Sequence, residues 1–231
     1  MSTEGAAEGV TPEIEITADG SATLRSPMHG DTYHSLRGAV GEARHVFIEA
    51  AFRQSTGAPV RVLEMGFGTG LNAWLTLEEA ERTGRRVDYT AVELHPVPEE
   101  VAARLGYTSD LRFAALHSAP WGEWSRPAEG FRLLKLQGEM TEILAKSDFS
   151  ATFDIVYWDA FAPDTQPALW SEEIFARVFE ATASGGVLVT YSSKGDVRRA
   201  LQAAGFAVER LPGALGKRHM LRASRNADGG F

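Results

Sequence analysis

Three glycines fall within five residues of Glu64-Met-Gly66-Phe67-Gly68-Thr-Gly70. There a short apolar run (61–65) gives way to a helical pattern (71–83). Glycine lets the backbone turn sharply and lets a ligand approach without an intervening Cβ. The helix that follows adds free N–H groups and a positive dipole end. The spacing is GxGxG, unlike the GxGxxG of dinucleotide loops. Glu64 would repel a pyrophosphate and suits the ammonium of a methionyl moiety. Without a ligand, the same residues would make a tight strand-to-helix turn. Phe67 and Asn72 complete the loop, and Glu93 closes the next strand, where a carboxylate can accept from both hydroxyls of a ribose. Glu139 follows the third strand. It is placed equally for an exocyclic adenine amine or as a first-turn acid complementing a helix dipole.

The second constellation is Asp159-Ala-Phe161-Ala-Pro163, after the strand 153–158. Ligands of open α/β sheets lie beyond the carboxyl ends of the strands, so Asp159 is expected at the reacting centre. There it would orient an amine nucleophile or take its proton, with Phe161 and Pro163 packing on a base. The alternative is a turn aspartate capping the next helix.

Positioning these groups takes a sheet. Apolar runs at 61–65, 87–93, 131–136, 153–158 and 186–191 alternate with helical patterns at 71–83, 98–105, 140–146, 172–183 and 197–204. That alternation implies βαβ crossovers and a mostly parallel α/β sheet with helices on its faces. Two last strands, 206–211 and 219–223, have no helix between them, so one must run antiparallel at or near an edge. Ahead of the sheet, residues 13–25 read as a hairpin turning at Asp19-Gly20, and 38–52 as a helix. Residues 109–130 read as loop and short helix. The expected organisation is a disordered lead-in (1–12), an N-terminal hairpin and helix extension (13–55), one catalytic domain (56–225) and a short tail (226–231).

Composition excludes several classes. The chain has 231 residues and no cysteine, so disulfides, thiolate metal sites and cysteine nucleophiles are ruled out. His29, His34, His45 and His95 are scattered without metal-ligand spacing, so no metal is expected. No apolar run approaches the ~18 residues of a membrane span, and the polar N-terminus lacks the features of a signal peptide. A cytoplasmic enzyme is the simplest assignment. The net charge of −8 argues against non-specific nucleic-acid binding. However, 194–225 holds eight Lys/Arg against Asp196 and Glu209, a basic end that could dock a polyanion or form a solvated surface.

The segments 64–72 and 159–163 resemble the bacterial tRNA (5-aminomethyl-2-thiouridine) methyltransferases, comprising stand-alone MnmD-type enzymes and the N-terminal half of MnmC proteins. So do Leu169-Trp170, Thr190-Tyr191-Ser192, Gly205-Phe206 and Gly216-Lys217-Arg218-His-Met220. Residues 30–35 and 42–47 resemble that family's N-terminal extension, and the likeness runs from about Ile14 to Ala223. It implies a Rossmann-like class I methyltransferase with a seven-stranded sheet and S-adenosylmethionine as donor. The acceptor would be the 5-aminomethyl nitrogen of wobble (2-thio)uridine in tRNA, made by a separate enzyme. Glu64, Gly66, Phe67, Gly68, Gly70, Asn72, Glu93 and Glu139 would hold the cofactor, and Asp159 the transfer site. Tyr33, Phe161, Trp170 and Tyr191 become candidates for stacking on a flipped uridine, each equally placed as core. Lys194, Arg198, Lys217 and Arg218 become candidates for phosphate contacts. The chain departs from the family pattern at Ala73, at Glu139 in place of Asp, and at Asp164-Thr-Gln-Pro167 in place of Lys-Asn-Pro. Competing readings are a class I methyltransferase acting on a small molecule or protein, an aminopropyltransferase, and a non-catalytic nucleotide-binding module.

Overall fold

A computed structural model describes residues 12–226, so nearly all of the expected tail and of the lead-in lies outside the described residues. A hairpin of β1 (Glu13–Ile16) and β2 (Ala22–Arg25) turns at Asp19-Gly20. Helix α1 (Ala39–Ala43) then runs into a π-helical turn, Arg44–Glu49. The single α-helix expected over 38–52 is thus broken. Val46, Phe47 and Ile48 are all buried, and three consecutive inward residues do not fit one face of a 3.6-residue helix.

The main sheet follows in sequence. It comprises β3 (Val60–Met65), β4 (Val87–Glu93), β5 (Trp124–Ala128), β6 (Phe131–Gln137), β7 (Phe153–Trp158), β8 (Thr182–Thr190), β9 (Ala207–Pro212) and β10 (His219–Ser224). Between these strands lie α2 (Leu71–Thr83), α3 (Glu99–Ala102), α4 (Leu111–Ser118), α5 (Met140–Lys146), α6 (Glu172–Ala181) and α7 (Gly195–Ala203). The spatial order is β5-β6-β4-β3-β7-β8-β10-β9. The five strands from β6 to β8 are parallel; β10 is antiparallel to β8 and β9, and β5 to β6. The seven expected strands are all present. The eighth, β5, comes from 109–130, where a register shift at Ser125/Ala128 and Pro127 hide the period-2 pattern.

Alternation along each strand feeds two cores. Val62, Tyr89, Leu133 and Tyr157 face α2, α4 and the N-terminal extension, whereas Leu63, Val92, Val156 and Trp158 face α5, α6 and α7. The extension contributes Leu24, Ala43, Phe47 and Phe52 to the first core. Asp19 ties the hairpin to α1 by accepting from the backbone N–H groups of Ser21 (3.0 Å) and Gly41 (3.1 Å). The strand order reverses between β3 and β7, since β3 connects outward to β4 while β7 pairs on its other side. Such a switch point opens a crevice at the carboxyl ends of the two strands.

Candidate active site

The crevice is a cleft of about 910 Å³, within the range of cofactor pockets. Met65 pairs with Trp158 across β3 and β7, so the glycine loop and Asp159 leave the sheet side by side. A Cβ on Gly66 would come within 3.3 Å of the Asp159 carbonyl, and one on Gly68 within 3.1 Å of the Tyr33 ring. Both glycines have positive φ, +85° and +49°, where side chains are disfavoured. Gly70 is tighter still, at 2.7 Å from His117 Nε2. The loop is therefore a cradle that only glycines leave open.

Glu93 fixes the cradle from β4. One oxygen accepts from Gly68 N–H (3.0 Å), the other from His95 N–H (2.8 Å). Burial pushes the Glu93 carboxyl upward, partly offset by these backbone donors. Each oxygen keeps a lone pair for a ligand hydroxyl. Glu139 is exposed on the cleft wall and makes no side-chain cap to α5, which leaves its carboxylate free for a ligand amine.

Beneath the loop the polar groups are unbalanced. Asn72 Nδ2 donates to Asp159 Oδ2 (2.8 Å), while Asn72 Oδ1 and both Glu64 carboxyl oxygens are buried without a hydrogen-bond partner. Glu64 does not line the cleft, contrary to a direct contact with a ligand ammonium. It lies wholly inside the floor, and burial, with Asp159 close by, pushes its carboxyl well above the usual range. Buried acceptors without donors are costly. A cationic ligand group seated in the cleft above this floor would favour the ionised form of Glu64. Cradle, the Glu93 carboxylate at the end of β4 and acceptor-rich floor together fit S-adenosylmethionine.

Asp159 also lines the cleft. Burial raises its carboxyl from 3.8 to about 7, with Glu42 pushing the same way and Asn72 and Lys217 opposing. A carboxylate poised near neutrality is suited to proton exchange at physiological pH. Phe161 stands at the wall, its ring 4.7 Å from that of His29 and 5.1 Å, edge-on, from that of Tyr33. Gln166 Oε1 accepts from Phe161 N–H (3.1 Å), so the Asp164-Thr-Gln-Pro departure supplies a brace for this turn.

Two stacking candidates are not open to a base. Trp170 is buried below the turn and donates from Nε1 to Phe161 O (2.9 Å). Tyr191 donates its hydroxyl to Ala160 O (2.9 Å), and the Lys217 ammonium covers its ring at 5.1 Å. Among the phosphate candidates, Lys217 is turned inward and paired with Glu42, which removes it from the surface role expected of it. Lys194 is paired with Asp164, Arg198 has a buried, unpartnered Nε, and Arg218 is exposed. Much of the basic end is neutralised locally: Arg199 pairs with Asp196 and Arg222 with Glu209, and Arg225 donates to the carbonyls of Phe179, Glu180 and Thr182.

Lys135 and His117 were not singled out from the sequence. His117 Nε2 meets Thr69 O at 3.1 Å and is held neutral, near 4, mainly by burial. Lys135 is wholly buried; it donates to His117 O and lies under the rings of Phe67 (5.2 Å) and Trp121 (4.7 Å). The signal was present in the alternation of β6, which puts Lys135 on the buried face with Phe131 and Leu133. Among the described residues, no group of three or more His, Asp or Glu is placed to hold a metal ion, and no helix is long and apolar enough to cross a membrane.

A family model described as S-adenosyl-L-methionine-dependent methyltransferase matches residues 117–226. The chain is 34% identical over 92% of its length to the "tRNA 5-methylaminomethyl-2-thiouridine biosynthesis bifunctional protein MnmC" of Azoarcus sp., and 34% identical over 90% to that of Aromatoleum aromaticum. It spans about a third of the length of these relatives, 35% and 34%. Among solved structures it is similar to MNMC2 from Aquifex aeolicus, with a TM-score of 0.77 and 28% identity, covering 96% of this chain and 73% of that one. Spermidine synthase from Thermotoga maritima shares the fold alone, with a TM-score of 0.56 and 14% identity, covering 98% and 74% of the two chains. Residues 117–226 thus match the S-adenosyl-L-methionine-dependent methyltransferases, and nearly the whole chain is similar to the matching third of the MnmC proteins.

Proposed function

We propose that this enzyme methylates the nitrogen of the 5-aminomethyl group on the wobble (2-thio)uridine of tRNA, giving the methylaminomethyl nucleoside. The observation that carries the reading is Asp159, a partly buried carboxylate held near neutrality on the wall of the cofactor cleft. The names of the MnmC relatives, which specify methylaminomethyl-thiouridine biosynthesis on tRNA, support the acceptor. Because transfer adds only a methyl group, the aminomethyl arm must already be on the base, installed by a separate enzyme. A tRNA substrate would be met in the cytoplasm.

In this reading Gly66, Gly68, Gly70, Glu93 and Glu139 hold S-adenosylmethionine, with Asn72 and Glu64 at its amino end. When bound, it supplies an electrophilic methyl group. Asp159 receives a proton from the acceptor ammonium: an N–H bond breaks, the lone pair stays on nitrogen, and an O–H bond forms. Asn72 keeps the carboxylate oriented through Nδ2. Tyr33 and Phe161 form an aromatic wall against which a uracil can pack. Holding donor and acceptor together around Asp159 supplies most of the rate enhancement through proximity and orientation.

The test is transfer of labelled methyl from S-adenosylmethionine to tRNA from cells lacking this gene, followed by nucleoside analysis. Label in methylaminomethyl uridine is the expected result. Cofactor binding without label in tRNA would overturn the acceptor assignment in favour of a small molecule or protein.

A further inference from the structure

Behind Asp159 lies a second cavity, of about 150 Å³, room for a few water-sized groups. It shares Tyr33, His34, Asp159, Ala160 and Phe161 with the cofactor cleft but includes none of the glycine loop. Its distinctive lining is charged: Asp31 and Glu42 from the N-terminal extension join Asp159, and Lys217 enters from the loop before β10. Three carboxylates thus face one ammonium. Glu42 is mostly buried; Oε1 pairs with Lys217, and Oε2 accepts only a long bond from Ser35 N–H, at 3.3 Å. Lys217 also rests on the Tyr191 ring, so the one cation present is held to one side.

We infer that this second cavity receives the acceptor's aminomethyl arm, and that Glu42 is the carboxylate selecting a cationic amine there. The inference rests on the reading proposed above and deepens it. Cofactor and acceptor would enter from opposite sides of Asp159. The acidic lining attracts the ammonium form of the arm, and Asp159, at the junction, takes its proton as it turns toward the cleft. Lys217 keeps Glu42 oriented. A neutral arm of the same shape, such as hydroxymethyl, would gain nothing from Glu42.

The experiment measures transfer to aminomethyl-uridine tRNA by the wild-type enzyme, Glu42→Gln and Ala162→Leu. Alongside it, competition by free 5-aminomethyluridine and by 5-hydroxymethyluridine is measured. Ala162 lines the second cavity and is partly exposed, so leucine fills the cavity without disturbing either core. E42Q should raise KM for the tRNA roughly tenfold to hundredfold, the range for losing a hydrogen bond to a charged group. It should also abolish the preference for the amino over the hydroxy competitor while leaving cofactor affinity intact. A162L should raise KM with cofactor affinity unchanged. Equal weakening of both competitors by E42Q would show a structural role only and overturn the inference, as would unchanged KM in A162L. No transfer by the wild-type enzyme would instead sink the tRNA reading itself.

Discussion

Asp159→Asn separates the charge of this partly buried group from its shape. The carboxyl titrates near 7 in the folded protein and near 3.8 when free. The native state therefore holds the proton more tightly than the unfolded chain. Below about pH 4 both states are protonated and the group costs nothing. As pH rises toward 7 the unfolded chain ionises first, and stability falls. Above 7 the loss is complete, at most about 4 kcal/mol at 1.36 kcal/mol per pH unit. Asparagine is neutral throughout, and its carbonyl can still accept from Asn72. The variant's stability relative to wild type should therefore grow by roughly 2–3 kcal/mol between pH 5 and pH 8. That corresponds to about 5–10 °C in melting temperature for a chain of this size. Thermal unfolding without ligand at the two pH values measures it. Methyl transfer at pH 8 should fall by roughly 10²–10⁴, the worth of a general base. A stability difference independent of pH would refute the desolvated carboxylate, and wild-type turnover in the variant would refute its role as base.

Gly68→Ala places a Cβ 3.1 Å from the Tyr33 ring at φ +49°; calorimetry should show S-adenosylmethionine affinity reduced about tenfold, the cost of modest backbone strain. Lys135 is lowered by burial from 10.5 to about 8, so the native state binds fewer protons than the unfolded chain above pH 8. Wild type should accordingly gain stability between about pH 8 and 10.5, and Lys135→Met should lose that slope in denaturant titrations. At pH 7, removing the buried cation and orphaning the His117 carbonyl oppose each other, at roughly 1–3 kcal/mol for the latter, so the slope is the readout. Replacing Arg218 and Lys194 with glutamine should weaken tRNA binding and lower the slope of log affinity against log salt by about one per lost phosphate contact. An unchanged slope would move the tRNA footprint elsewhere.

The local patterns that build the cofactor half of the site were written in the sequence. A strand ending in GxGxG, a carboxylate closing the next strand and Asp159 closing β7 each follow from rules that act over a few residues. Strand order, pairing and burial act between distant segments, and these decided the rest. The β3–β7 pairing brought Gly66 against Asp159. The buried face of β6 made Lys135, which no local motif marks, a brace behind Phe67. Trp170 and Tyr191 had the composition of base-stacking residues, yet both donate to carbonyls of the Asp159 turn, because a turn beyond a buried strand must have its polar groups satisfied from below. Lys217 carried the charge of a phosphate contact, but Glu42, 175 positions away in the chain, turned it inward. A side chain's type and neighbours state which interactions it is able to make; which of them forms depends on the partner that folding brings within reach and on the water it excludes.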